Sequence, residues 1–103
     1  MELQDTKRVE IIIEAPLERR LTEAMQAVDV TGYTVLPVLG GSGKSGAWSR
    51  EGQVSRTSGI VSVVCLINPD QLDTLLTAVI PVVEPHVGAV SITDAKVLRG
   101  GNA

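Results

Sequence analysis

The sequence predicts an α+β fold in which two strand–helix–strand units follow one another in a single domain. Aliphatic residues dominate a chain of 103 residues that has no Phe, one Trp and one Tyr, and such a core favours strands. Two segments with the apolar spacing of helices each lie between two β-rich runs. A chain of this length has room for one core, so residues 1–103 form one predicted domain.

The first unit spans residues 7–39. The segment KRVEIIIEA alternates Val9, Ile11 and Ile13 with charged residues, as in a strand with one buried face. Pro16 suits the first position of a helix, which we expect to end near Asp29. The apolar stripe of this helix comprises Leu17, Leu21, Ala24, Met25 and Val28. The run YTVLPVL predicts the second strand, and Pro37, which has no backbone donor, predicts a sheet edge or a bulge near its end.

The second unit spans residues 59–98. The run GIVSVVCLI predicts a strand over residues 59–67, and Asn68-Pro69 is typical of a helix cap followed by the first helical turn. The stripe of this helix comprises Leu72, Leu75, Leu76, Val79 and Ile80. Pro81 and Pro85 are expected to end the helix or distort its last turn. The run GAVSITDAKVL predicts the last strand, over residues 88–98.

Two such units pack most simply as a four-stranded antiparallel sheet with both helices on one face, the ferredoxin-like βαββαβ arrangement. One face of the sheet then has no helices over it. Whichever face that is, it carries apolar residues, since Val35, Val63, Val90 and Ile92 or their strand neighbours point to it. We therefore expect this face to be buried between subunits of an oligomer.

Composition argues against several function classes. The net charge of −3 and the lack of a basic cluster argue against a nucleic-acid partner. No apolar run approaches the roughly 20 residues of a membrane span, and the charged first twenty residues do not suit a signal peptide, so we expect a soluble cytoplasmic protein.

Cys65, the single cysteine, lies in an apolar strand and is predicted in the core. One cysteine and the single histidine, His86, do not make a zinc site, and His86 has no recognisable catalytic partner.

Residues 40–57 form a long predicted loop that begins with GGSGKSG. A Walker A loop would need a glycine at position 38, which is Val38, and a helix after Lys44-Ser45, which the sequence does not support. Closely spaced glycines could still direct backbone amides at an anion beside Lys44, or could simply give mobility to a hairpin connection. Trp48, inside this loop, is predicted either to anchor a partner or to pack back on the subunit.

Several segments of the sequence resemble the PII signal-transduction superfamily. The segment TGYTVLPVLGGSGKSG is similar to its second strand and the base of its T-loop, and KRVEIIIEAP to its first strand. NPDQLDTLL is similar to its second helix and HVGAVSITDAKVLR to its B-loop and last strand. The PII-like branch associated with carboxysomes and bicarbonate transport is the most similar, because Thr-Gly-Tyr-Thr-Val followed by Gly-Gly recurs there. The resemblance implies a homotrimer with a T-loop over about residues 40–57 and a flexible tail over residues 100–103.

The resemblance also implies a site for an adenine nucleotide between neighbouring subunits. Thr34 matches a threonine that meets the adenine ring, and Leu66 or Ile67 matches an apolar residue that packs on it. The implied phosphate-side residues are Gly40, Gly41, Ser42, Gly43 and Lys44 at the loop base, His86, Val87 and Gly88 in the B-loop, and Arg99 beyond the last strand. Taken without the resemblance, Thr34 is also an ordinary strand residue, Gly88 a simple turn and Arg99 a solvated charge. The implied partner-binding residues are Trp48, Arg50 and Arg56.

Departures from the family narrow the expected function. Ala89 stands where nitrogen-regulating members have a phosphate-binding lysine, which favours AMP or ADP over ATP. No tyrosine lies between residues 40 and 57, which argues against uridylylation there, and the glutamine used in 2-oxoglutarate sensing is not recognisable.

The resemblance therefore implies a non-enzymatic regulator, with bicarbonate as a further ligand and a bicarbonate transporter or carbon-fixation protein as partner. Two alternatives remain open from the residues: a slow nucleotide phosphohydrolase that uses the glycine loop, and a ferredoxin-like structural trimer of the copper-tolerance type.

Overall fold

The computed structural model describes residues 2–43, 46–49, 59–85 and 88–98. The strands are β1 (Leu3–Glu14), β2 (Thr34–Val38), β3 (Gly40–Gly43), β4 (Gly46–Ser49), β5 (Ile60–Ile67) and β6 (Gly88–Leu98). The helices are α1 (Glu18–Ala27) and α2 (Leu72–Val83), each preceded by a 3₁₀ turn, at Ala15–Leu17 and Pro69–Gln71. This order confirms the predicted ferredoxin-like α+β fold, with the short β3–β4 pair inserted after β2. No helix in the described ranges is both long and apolar enough to span a bilayer.

The main sheet has the strand order β2-β5-β1-β6, and each neighbouring pair is antiparallel. The prediction that Pro37 marks an edge strand is confirmed, since β2 lies at one edge of this sheet. Alternate residues of β1 and β5 on one face, such as Val9, Ile11 and Val63, are fully buried against α1 and α2. The core is aliphatic, as predicted, and it contains Met25 and Cys65, both of which the sequence placed on the buried side.

The other face of the sheet, which we call the open face, is not covered by any helix of the described ranges. The register aligns Ile12 of β1 with Ser62 of β5 and Leu36 of β2, so these three residues lie side by side there. On β1, β2 and β5, the apolar residues of the open face are Ile12, Leu36, Val38, Ile60, Val64 and Leu66; β6 adds Ala89, Ala95 and Val97. Ser62 is nonetheless buried, and its hydroxyl donates a 2.7 Å hydrogen bond to Glu10 Oε2, so this buried polar group has a partner. Val35 and Val63, two of the residues named above as candidates for the uncovered face, pack toward the helices. The residues next to them along their strands belong to the open face.

The helix ends follow local chemistry. Asp29 adopts a left-handed conformation (φ 66°) just after α1. Its N–H donates to Gln26 O, and the N–H of Val30 donates to Met25 O, which is the hydrogen-bond pattern of a Schellman motif. Of the two prolines expected to end the second helix or distort its end, Pro81 lies inside α2, which continues to Val83, and Pro85 directly follows the C-cap residue Glu84.

The apolar stripe of α2 also differs from the predicted one. Val82 and Val83 are buried, whereas Ile80 is 44% exposed. The extra residues after Pro81 therefore supply core contacts that the predicted stripe assigned to Ile80.

The glycine-rich segment contains secondary structure that its composition did not predict. Gly40–Gly43 and Gly46–Ser49 pair as an antiparallel hairpin, with Gly43 opposite Gly46 and Gly41 opposite Trp48. The interpretation of residues 40–57 as loop throughout is therefore wrong for these two strands. Backbone hydrogen bonds form the ladder, and glycine carries no side-chain pattern that would reveal it.

Candidate functional site

A cleft of about 450 Å³ opens at the edge of the sheet where β2 begins. Residues 29–34 line one side of the cleft and residues 64–67 of β5 the other, with Gln71 also among the lining residues. The first pair of β2 with β5 is Thr34 with Val64, so residues 65–67 extend past β2 and have no β2 partner. The cleft therefore lies where a strand edge of β5 is left open.

The end of α1 sets the position of the cleft wall. The left-handed Asp29 reverses the chain, and Val30, the next residue, is buried against the core. An apolar residue at this position commonly packs back on a helix that ends in a Schellman motif. The chain from residue 29 to residue 33 is thus fixed at both ends, by α1 and by the pairing of Thr34.

Two residues predicted for the adenine end of a nucleotide site lie together here. Thr34 and Leu66 both line the cleft, and both belong to the open face of the sheet. Leu66 is 44% exposed, so its side chain is accessible to a flat apolar group. Cys65, the neighbouring cleft residue, is buried, and burial raises the pKa of its thiol.

Four polar cleft residues were not predicted from the sequence as site residues: Asp29, Thr31, Tyr33 and Gln71. Tyr33 lines the cleft, and its Oη accepts a 3.2 Å hydrogen bond from Gln26 Nε2. Gln71 also lines it, and its Oε1 accepts a 3.0 Å hydrogen bond from the Asn68 N–H. Both belong to motifs quoted above, TGYTV and NPDQL, but nothing in their spacing indicates a shared site.

The predicted phosphate-side residues lie elsewhere in the same chain. Gly88 pairs with Ile13 of β1, whereas Leu66 pairs with Arg8, five residues away, which corresponds to about 17 Å along the strand. Gly40, Gly41 and Ser42 follow β2 at one edge of the sheet, and Gly88 begins β6 at the other edge, about 14 Å across three strand spacings. One chain alone therefore does not bring these groups around a single ligand.

Other predicted residues lie outside the described ranges: Lys44, Arg50, Arg56, His86, Val87 and Arg99. Gly43 is the last residue of β3, and Trp48 lies in β4. Within the described ranges, no group of three or more His, Cys, Asp or Glu residues could hold a metal ion.

A second cleft, of about 500 Å³, lies beside the terminal part of the β1–β6 ribbon. Its charged lining residues are already paired: Lys7 with Asp94, and Lys96 with Asp5. The two residues of each pair also lie directly opposite each other in the β1–β6 ladder. This cleft therefore presents charges that compensate one another, and the candidate ligand site is the cleft at the start of β2.

The family model for nitrogen regulatory protein P-II matches residues 6–102, nearly the whole chain. The chain belongs to the P-II family. No protein with a curated description matches the chain significantly. Membership agrees with the PII-like motifs of the sequence and with the four-stranded sheet that carries both helices on one face.

Solved structures of PII-like proteins are similar over almost the full chain. The nitrogen regulatory PII-like protein CPII from Thiomonas intermedia K12, bound to ADP, AMP and bicarbonate, is 25% identical; the match covers 93% of this chain and 91% of that one, with a TM-score of 0.85. CPII bound to ADP and bicarbonate is 26% identical, with the same coverages and a TM-score of 0.80. A PII-like signalling protein from Thermus thermophilus shares the fold at 22% identity, covering 97% of this chain and 96% of that one, with a TM-score of 0.77.

Proposed function

We propose that this P-II family protein binds AMP or ADP, in preference to ATP, in clefts between the protomers of a homotrimer. The observation that carries this proposal is the division of the predicted site. Thr34 and Leu66 lie together in the cleft, while Gly40 and Gly88 lie at distant places in the same chain. A neighbouring copy that covers the open face can bring its own phosphate-side residues to the cleft of the first.

The relatives support the ligand class. CPII, which has this fold and belongs to the PII-like proteins, is known bound to ADP, AMP and bicarbonate. Ala89 provides no charge after Gly88, where nitrogen-regulating members have a phosphate-binding lysine, and this favours AMP or ADP over ATP; Lys44, His86 and Arg99 are the residues that could supply a charge in its place. We include bicarbonate as a second ligand of the same protein on the strength of the CPII complexes.

The T-loop, over about residues 40–57, is the proposed switch. It starts directly after β2 and includes the β3–β4 hairpin, so it is attached to the strand that carries Thr34. A nucleotide shifts the loop between two arrangements only if it binds one of them more tightly. Trp48, Arg50 and Arg56 are the proposed partner-contacting residues. The proposed partner is a bicarbonate transporter or a carbon-fixation protein, and the proposed location of this protein is the cytoplasm.

Isothermal titration calorimetry with AMP, ADP and ATP tests the proposal. We expect binding in the micromolar range, weakest for ATP, and a further effect of bicarbonate. Thr34→Val keeps the branched shape of the side chain but removes its hydroxyl, so affinity should fall about three- to tenfold, as for one neutral hydrogen bond. Thr74→Val, at an exposed position of α2, is the matched control and should bind as the wild type does.

The same samples separate the alternatives. Chromatography after incubation with magnesium and nucleotide should return the ligand unchanged, whereas product formation would favour a phosphohydrolase. If none of the three adenine nucleotides binds, the nucleotide-sensing proposal is wrong and a purely structural trimer becomes the better explanation.

A further inference from the structure

The cleft contains two polar side chains whose hydrogen-bonding capacity is partly used by the protein itself. The Tyr33 hydroxyl accepts from Gln26 Nε2 at 3.2 Å, and the Gln71 carboxamide oxygen accepts from the Asn68 N–H at 3.0 Å. In both cases the atom engaged by the protein serves as an acceptor. Among the residues that the structure describes, neither Tyr33 Oη–H nor Gln71 Nε2–H donates to a protein group.

The number of donors and acceptors on each side chain decides which hydrogen bonds it can make with a ligand. A tyrosine hydroxyl has one hydrogen to donate, and a glutamine amide has two on Nε2. The Gln71 oxygen already accepts from the Asn68 N–H, and both hydrogens of Nε2 are left to donate to a ligand in the cleft. The Tyr33 hydroxyl, held by Gln26, likewise has its hydrogen to offer.

The two groups that hold the Tyr33 and Gln71 side chains by hydrogen bonds both lie at helix ends. Gln26 lies in the last turn of α1, and the Asn68 N–H bond to Gln71 lies in the turn that starts α2. Asn68 is itself held, since its Oδ1 accepts a 3.0 Å hydrogen bond from Gln4 Nε2. Asp29, the charged residue among those lining the cleft, makes no hydrogen bond with either side chain among the described residues. The two donors are therefore oriented before a ligand arrives.

We infer that Tyr33 and Gln71 are specificity-determining donors that bind hydrogen-bond acceptors of the nucleoside, either the ribose hydroxyl oxygens or the ring nitrogens of the purine. This inference rests on the proposed nucleotide site and goes beyond it, because Thr34 and Leu66 alone define an apolar pocket with one hydroxyl. A ligand that presents only donors to this side of the cleft is disfavoured, because it would cover two protein donors and leave them without partners.

Gln71→Glu separates the structural role of Gln71 from its role toward the ligand. A glutamate oxygen still accepts from the Asn68 N–H, and a carboxylate at the start of α2 suits both the capping position and the helix dipole. The variant replaces the Nε2 donor with a second carboxylate oxygen and a negative charge. Its thermal unfolding without ligand should therefore match or exceed that of the wild type, while its affinity for adenosine should fall about three- to tenfold. Adenosine is the probe because it has no phosphate that the new charge could repel.

Tyr33→Phe is the neutral counterpart, since it keeps the ring and removes the donor, and it should weaken binding of both adenosine and AMP by a similar factor. Thr74→Val, at an exposed position of α2 outside the cleft, is again the control and should bind as the wild type does.

Nucleoside analogues identify the acceptor. We would titrate the wild type and both variants with adenosine, 2′-deoxyadenosine, 3′-deoxyadenosine, 7-deaza-adenosine and 3-deaza-adenosine. An analogue that lacks the acceptor should bind the wild type more weakly, and the matching variant should show no further loss, as in a double-mutant cycle. Loss with a deoxy analogue assigns the ribose, and loss with a deaza analogue assigns the base.

The inference is overturned if Gln71→Glu and Tyr33→Phe bind adenosine and AMP with wild-type affinity. It is also overturned if both variants lose the same factor with every analogue, since that would indicate a general change of the cleft. If the wild type binds neither adenosine nor any adenine nucleotide, the proposed function itself fails and the inference fails with it.

Discussion

At the scale of single residues, Gly88 shows how close packing rather than a turn can require glycine. It begins β6 opposite Ile13. A Cβ at this position would lie 2.9 Å from the backbone oxygen of Ile12 and 3.1 Å from Val83 Cγ1. The neighbouring backbone atom cannot move without shifting β1, so a side chain here would displace the start of β6.

We expect Gly88→Ala to lower the free energy of unfolding by about 1–3 kcal/mol, the usual cost of overpacking a tight contact. Gly32→Ala is the matched control, because nothing lies within 4 Å of a Cβ there, and its effect should stay within about 0.5 kcal/mol. Urea denaturation at one fixed protein concentration measures both variants. Equal stability of the two variants would show that β6 tolerates a side chain at its first residue.

Single residues of the site were predictable only in part. Thr34 and Leu66 were found through resemblance to a family motif, and the structure brings them into one cleft. Tyr33 and Gln71 were missed because their significance lies in hydrogen bonds to Gln26 and Asn68, which depend on how the helices are placed. The start of the second helix did carry a readable signal, since Asn68-Pro69 predicted the turn that places Gln71.

At the scale of elements, the β1–β6 ribbon extends beyond the rest of the sheet. Residues 3–6 of β1 pair with β6 only, because β5 pairs from Lys7 onward. Asp5 faces Lys96 across this ribbon and Lys7 faces Asp94, so opposite charges alternate along it. The hydrogen bond from Lys96 lowers the pKa of Asp5 below its ordinary 3.8, and the charge of Lys96 lowers it further.

These directions fix the pH dependence of the Asp5–Lys96 pair. Because the pKa of Asp5 is lowered in the folded chain, the pair stabilises the ribbon above pH 3.8 and this contribution is lost as the pH falls further. Hydrogen bonding to Asp5 raises the pKa of Lys96 above 10.5, so the same contribution is lost again as the pH rises through that higher value. Titration of the Asp5 carboxyl by NMR should give a pKa below 3.8 that returns toward 3.8 in Lys96→Gln. Lys7→Gln should have a smaller effect, because Lys7 acts on Asp5 only through its charge. An unchanged Asp5 pKa in Lys96→Gln would contradict the pairing.

Elements were predictable where side-chain periodicity governs them. The last strand was predicted over residues 88–98 and is observed as Gly88–Leu98. The first strand begins at Leu3 rather than residue 7, because the added residues are paired by β6 and show no apolar alternation. The β3–β4 hairpin was missed for a related reason, since glycines provide backbone pairing without a pattern of side chains.

At the scale of the whole molecule, two features support one assembly. The open face carries Leu36, Val64 and Leu66, which a solitary chain would leave against water. The predicted nucleotide residues are divided between places that one chain does not bring together. A trimer in which neighbours cover the open face accounts for both features. Sequence reasoning predicted an apolar uncovered face, but the register was needed to show which residues form it.

Leu36→Glu tests the assembly against a matched substitution on the helix layer. Leu36 is 47% exposed in the single chain and lies on the open face, whereas Ile80, on α2, is 44% exposed. Glutamate should therefore be tolerated similarly by an isolated protomer at either position. If the open face is buried between copies, Leu36→Glu places a charge in that interface, and a buried unpaired charge is strongly unfavourable.

Sedimentation velocity should show trimers for the wild type and Ile80→Glu and a monomer for Leu36→Glu. Circular dichroism should show that Leu36→Glu is folded, and titration with ADP should show binding by the wild type and Ile80→Glu but not by Leu36→Glu. A trimeric Leu36→Glu with normal ADP affinity would show that the interface lies elsewhere, and a monomeric wild type that binds ADP would show that one chain forms the whole site.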